Sequence, residues 1–214
     1  MKNKKSFLYY LGNFLIITSI ASLLFIYYPF IQIYLFPPKI QSTITAKGYF
    51  IQIPKINAEA PIILNVDPWN ENIYRQKLKK GVAHAKTTSP PGEKGVSYLF
   101  AHSSDNPWSI GRYNTIFFRL GELNINDEIF VFKDGKKNVY RVKGKKIIWP
   151  DQVEYLKQKT QKYSSSPSTN AQGRLESRSK SLEKDKNEVS RLILQTCYPI
   201  GTAFQRLLIF AEST

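Results

Sequence analysis

The feature that most constrains this chain is a run without a single charge, SFLYYLGNFLIITSIASLLFIYYPFIQIYLFPP, residues 6–38. Crossing a bilayer as a helix takes roughly 20 consecutive, predominantly apolar residues, so the run predicts a membrane-spanning anchor over 6–38. Lys2, Lys4 and Lys5 precede it, and the positive-inside tendency then keeps residues 1–5 in the cytoplasm and sends everything after Lys39 outside. Tyr9, Tyr10, Tyr27, Tyr28 and Tyr34 suit interfacial anchoring. A cleaved signal peptide is the competing reading, because Ser19-Ile20-Ala21 resembles a small-residue cleavage site. Signal peptides, however, have apolar cores of about 7 to 15 residues, and this run continues well past Ala21.

After a linker at 39–48, residues 49–214 are enough for one domain with a real core. The chain has one cysteine, Cys197, so it cannot form an internal disulfide and its domain must be held by packing. Outside the membrane an odd thiol points to intermolecular pairing or to a reactive group. The net charge of +15 fits anionic headgroups, wall polymers or plain solubility. No zinc-finger spacing or aromatic RNA-binding signature supports a nucleic-acid role.

Along the chain, 48–56 (GYFIQIPKI) and 60–66 (APIILNV) read as strands with edge or turn prolines. Residues 70–80 read as one short helix stopped by Gly81, and 87–95 (TTSPPGEKG) as a loop. The run 96–102 (VSYLFAH) is a strand ending at His102, and 113–123 is short helical or irregular chain. Residues 127–132 and 138–150 are strands joined at Asp134-Gly135, a hairpin signal, and SRLILQTC and FQRLLIFAE form the final pair. Asp67-Pro68-Trp69 and Asn106-Pro107-Trp108 read as turns with an aromatic cap. Many short strands with one or two small helices predict a mostly β, closed or nearly closed barrel. One segment, 156–190, is rich in serine and scattered charge and nearly devoid of apolar residues, so it is expected to be a disordered or weakly helical basic loop.

A thiol is nucleophilic as its thiolate, and at its ordinary pKa of about 8.5 little of it is ionised at neutral pH. It needs a helper, and the chain offers two histidines, His84 and His102. His102 ends an apolar strand and opens onto a polar loop, whereas His84 sits just past a helix stop. Asp105 could orient a histidine. Arg206 starts the strand after the Tyr198–Phe204 connection, where a hairpin folding back would bring its guanidinium toward Cys197; such a fork suits a developing oxyanion and favours a thiolate. The bland alternatives are a buried core cysteine, hydrogen-bonded structural histidines and a solvated arginine.

The run LQTCYPIGTAFQRLLIF resembles the sortase signature, in which a strand ends in Thr-Cys and an arginine follows on the next strand. Upstream, IPKINAEAPI, LKKGVAHAKTTSPPGEKG and YLFAHSS resemble that family's first strands, its Gly-Val-x-His and Pro-Gly loop, and its histidine strand, in the same order. The resemblance runs from about Tyr49 to Ala211. It implies an eight-stranded barrel behind an N-terminal anchor and a cysteine transpeptidase acting on an LPXTG-like sorting signal. Carried over by position, Cys197 is the nucleophile, His102 the general acid and base, and Arg206 the substrate and oxyanion clamp, with Thr196 and Tyr198 as substrate contacts. His84 matches a position without a chemical role. No cofactor and no metal are implied. The implied partners are secreted proteins with a C-terminal sorting signal, an amine acceptor such as a wall precursor or pilin lysine, and the lipid bilayer through residues 6–38. Two departures stand out: Ala-His replaces the commoner Gly-His, and the segment before Cys197 is long. The competing classes are a non-catalytic, membrane-tethered basic binding module and an L,D-transpeptidase, whose compact Ser-His-Gly-Cys motif is absent.

Overall fold

The computed structural model describes residues 7–35, 48–103, 113, 115–152 and 189–214. The chain divides into two compact units, Met1–Lys39 and Ile40–Thr214. The first carries one helix, α1 (Phe7–Leu35), free of charged side chains; its Phe7–Tyr28 portion is long and apolar enough to cross a membrane. Its described large apolar side chains, such as Phe14, Ile17 and Phe25, are exposed, which is consistent with a membrane anchor.

The second unit is a closed barrel of eight strands: β1 (Tyr49–Ile53), β2 (Ala58–Val66), β3 (Val82–Ala85), β4 (Gly95–Phe100), β5 (Glu128–Lys133), β6 (Lys136–Ile148), β7 (Ser190–Tyr198) and β8 (Gln205–Ser213). Around the barrel the order is β1-β2-β3-β4-β7-β8-β6-β5. The β2/β3 and β4/β7 pairs are parallel and the remaining pairs antiparallel. Closure leaves no exposed sheet edge, which matters for a domain without disulfide staples. Alternation fills the interior: Ile51 and Ile53, Ala58 and Ala60, Leu99, Ile129 and Val131, Leu192 and Leu194, and Ile209 are all at most 3% exposed.

Local chemistry explains the connections. Asp134 (φ 48°) and Gly135 (φ 82°) are both left-handed, the geometry of the tight hairpin turn between β5 and β6. Asp134 also accepts a bond from Gly48 N at 2.9 Å, tying the domain's first described residue to this turn. The helix α2 (Glu71–Leu78) starts where Asn70 Oδ1 accepts from Ile73 N at 3.2 Å, and it is followed by Gly81. Asp67 Oδ1 accepts from Trp69 N at 2.9 Å, an Asx turn that leaves the indole exposed. The strand the residue pattern does not announce is β3, four residues read only as the sequel to a helix stop. The loop at 86–94 is pinned by Tyr140, whose hydroxyl accepts from Gly92 N at 2.8 Å and meets Ser190 Oγ at 2.7 Å, and by the Lys133–Glu93 ion pair at 2.8 Å. Of the segment read as a loop over 156–190, residues 156–188 lie outside the described part, and Ser190 already belongs to β7. Asn106-Pro107-Trp108 is outside it as well.

Candidate active site

Register assembles the site. Strands β7 and β8 pair antiparallel with Cys197 directly opposite Arg206. Residues in such a pair share a sheet face with Cβ atoms roughly 4.5–5.5 Å apart, so the thiol and the guanidinium stem are immediate neighbours. On the other side of β7, strand β4 runs parallel, with Leu99 beside Leu194 and Phe100 beside Gln195. Ala101 N donates to Gln195 O at 3.2 Å, and the buried Thr196 hydroxyl donates to Ala101 O at 3.1 Å, so the pairing continues past the end of β4. Carried one residue further, it brings His102 alongside Cys197. The histidine's own carbonyl accepts from Phe117 N at 3.3 Å, which fixes the backbone from the far side. One face of the sheet therefore carries Cys197 and Arg206 side by side, with Ile148 of β6 next to Arg206, and His102 follows two residues after the end of β4 beside this end of β7.

The other histidine is on the opposite face. His84 pairs with Leu99, which lies beside Leu194, and both leucines are 0% exposed in the barrel interior. Its ring is engaged at both nitrogens. Nδ1 accepts from Asn65 N at 3.4 Å, so Nε2 carries the proton, donating to Ser89 O at 2.9 Å beside the Thr88 hydroxyl at 3.0 Å. Burial holds its pKa below the ordinary value, partly offset by the bonds to Ser89 and Thr88. This is a neutral structural histidine that organises the loop between β3 and β4.

Cys197 is half-buried, reachable from solvent but flanked by packed strands. Arg206 is held by its own loop, with Nη1 donating to Ala203 O at 2.9 Å and Gln205 O at 3.0 Å. Its Nε and Nη2 make no hydrogen bond among the described residues, so those donors remain for a ligand. Asp105 lies outside the described residues.

A family model described as Sortase domain matches residues 51–214, three quarters of the chain and all eight strands. The chain belongs to the sortase family. It is 28% identical over 165 residues to sortase D of Bacillus subtilis (strain 168), an alignment covering 76% of this chain and 61% of that protein. The chain thus spans about three fifths of the length of this curated relative. Among solved structures it is similar to sortase C of Clostridium perfringens with the C-terminal cell wall sorting motif, at 26% identity and a TM-score of 0.53, covering 77% of this chain and 69% of that one. It also shares its fold with sortase C-1 of Actinomyces oris, at 23% identity and a TM-score of 0.55, covering 78% and 71%.

Within this sortase-family barrel, strand alternation places the side chains of Thr196 and Tyr198 on the sheet face opposite to that of Cys197. Thr196 is 3% exposed and spends its hydroxyl on Ala101 O, which clamps the His102 segment to β7. Tyr198 packs against the core. The face neighbour along β7 is instead Gln195, two residues before Cys197, with the buried Tyr98 hydroxyl donating to its Oε1. Counting back by two from the thiol would have found it. Among the described residues no cluster of His, Cys, Asp and Glu could hold a metal ion.

Proposed function

We propose that this chain is a membrane-anchored cysteine transpeptidase with Cys197 as nucleophile, His102 as general acid and base, and Arg206 as substrate and oxyanion clamp. The observation that supports the reading is the pairing of Cys197 with Arg206 across β7 and β8, with His102 in the segment that Thr196 ties to β7 and the other histidine buried inside the barrel. The thiolate attacks the threonine carbonyl of an LPXTG-like sorting signal, and the developing oxyanion lies within reach of Arg206 Nε and Nη2. As the tetrahedral intermediate collapses, the Thr–Gly peptide bond breaks, His102 protonates the departing glycine amine, and a thioester remains on Cys197. A second amine then attacks the thioester, gives its proton to His102 and leaves with the acyl group, restoring the thiol.

The anchor supports a location at the cell membrane as a single-pass protein, with residues 1–5 in the cytoplasm and the barrel outside. There it would meet secreted proteins bearing a C-terminal sorting signal, as the sorting-motif complex of the Clostridium perfringens relative suggests, and an amine acceptor on a wall precursor or a pilin lysine. The test is to incubate full-length protein in detergent with a Leu-Pro-X-Thr-Gly peptide library and an amine acceptor. The expected result is ligated product that disappears in Cys197→Ala. A Cys197→Ala protein that still joins peptide to amine contradicts the reading.

A further inference from the structure

Strand register places a second row directly beneath the Cys197 row on the same face: Phe100 of β4, Gln195 of β7 and Leu208 of β8. Phe100 is 7% exposed and Leu208 fully buried, so Gln195 is a carboxamide set between two apolar side chains. An amide in such surroundings is costly unless its hydrogen-bonding groups are used. Half of that requirement is met from within the fold. Tyr98, 1% exposed and one further row down beside Ile193, donates its hydroxyl to Gln195 Oε1. With Oε1 accepting from Tyr98, Nε2 presents its two N–H groups on the other side of the carboxamide. Nε2 makes no hydrogen bond among the described residues, and Gln195 is only half-buried. Residues two apart on a strand are separated by roughly 6.6 Å, which puts these donors about two peptide units' reach from the thiol.

We propose that Gln195, held by Tyr98, is a specificity-determining residue that donates an N–H to a carbonyl oxygen of the peptide acyl donor, upstream of the bond Cys197 attacks. The proposal rests on the transpeptidase reading and deepens it. It states that this site selects a donor whose extended backbone offers an acceptor over β7. An extended chain laid across β7 offers carbonyls at alternate positions, and a carboxamide with a locked orientation can accept only one polarity there. Gln195 donates to substrate without touching the reacting atoms, so its effect belongs to binding of the acyl donor.

The test uses full-length protein in detergent, with a Leu-Pro-X-Thr-Gly peptide as donor probe and an amine acceptor in excess. Three variants are compared: Gln195→Met removes the donor at near-constant volume, Gln195→Glu puts an acceptor in its place, and Tyr98→Phe removes the group that orients it. Losing one hydrogen bond to a neutral partner corresponds to about two- to tenfold, so KM for the donor is expected to rise about that much in Gln195→Met, with kcat within about twofold. Gln195→Glu is expected to raise KM further, because a carboxylate repels a carbonyl oxygen, and Tyr98→Phe to move in the same direction by less. The rate of Cys197 alkylation by iodoacetamide is expected to match the wild type in Gln195→Met and Tyr98→Phe, which a merely structural role in holding the thiol would not allow. Unchanged donor KM in both Gln195 variants, or an equal fall in kcat and in alkylation rate, overturns the proposal. A wild-type protein that forms no product with any donor overturns it along with the transpeptidase reading, whereas wild-type turnover with indifferent Gln195 variants overturns the Gln195 assignment alone.

Discussion

His84 and His102 are the two histidines of the chain, and residue type alone does not separate them. The fold does: His84 is bonded at both ring nitrogens inside the barrel, while His102 follows Ala101, whose carbonyl Thr196 ties to β7 next to Cys197. His102→Ala is therefore expected to lose about a hundredfold to ten-thousandfold in turnover, the usual worth of a positioned proton donor, measured as kcat for peptide-to-amine transfer. His84→Ala is expected to cost much less in kcat at a temperature where it is folded, and the reverse ranking would mean the wrong histidine has been assigned. His84 also predicts a pH dependence of stability. Its folded pKa lies below the ordinary 6.5 because burial disfavours the charged ring. The unfolded chain then binds the proton more readily, so the stabilisation is fully present above about pH 6.5 and is lost as pH falls toward and through the lowered value. Thermal melts from pH 7.5 down to 5 are expected to show a falling Tm in the wild type and in His102→Gln, and a flatter profile in His84→Gln.

Among the elements, those set by local chemistry were legible in the sequence and those set by tertiary partners were not. Asp134-Gly135 announces its hairpin because both residues tolerate the left-handed backbone that the turn requires. Strand β3 announces nothing: Val82–Ala85 is four residues long, half of them alanine, and it is a strand only because β2 and β4 offer backbone partners on either side. The site divides the same way. Cys197 opposite Arg206 follows from a hairpin that the sequence indicates, and alternation sets Gln195 on its face and Thr196 and Tyr198 on the other; what the sequence leaves open is which of those faces meets the barrel interior. That is decided by strands far away in sequence. The β3 join gives an element-level prediction. A Cβ added at Gly81 would run into the backbone carbonyl oxygen of Pro61 in β2, where neither side can yield cheaply. Gly81→Ala is expected to destabilise the domain by about 1–3 kcal/mol in a denaturant titration, the usual cost of overpacking. Gly144→Ala, with nothing within 4 Å of the new methyl, is expected to stay within about 0.5 kcal/mol.

At the scale of the whole molecule, the barrel draws its stability from a closed sheet without disulfides, and α1 is long and apolar enough to serve as a membrane anchor. With Lys2, Lys4 and Lys5 ahead of the helix, protease added to intact cells is expected to digest the domain while leaving a membrane-embedded fragment. Complete protection, or a mature protein beginning near Ser22, contradicts the outward-facing, uncleaved arrangement. The central claim is that the single thiol of the chain carries the acyl group between donor and acceptor. The direct measurement is mass spectrometry of full-length protein quenched in acid after mixing with a Leu-Pro-X-Thr-Gly peptide and no amine. The account predicts a mass increase equal to the Leu-Pro-X-Thr acyl group, mapped to Cys197 and released by hydroxylamine; an adduct on any other residue, or none under conditions where product forms, would contradict it.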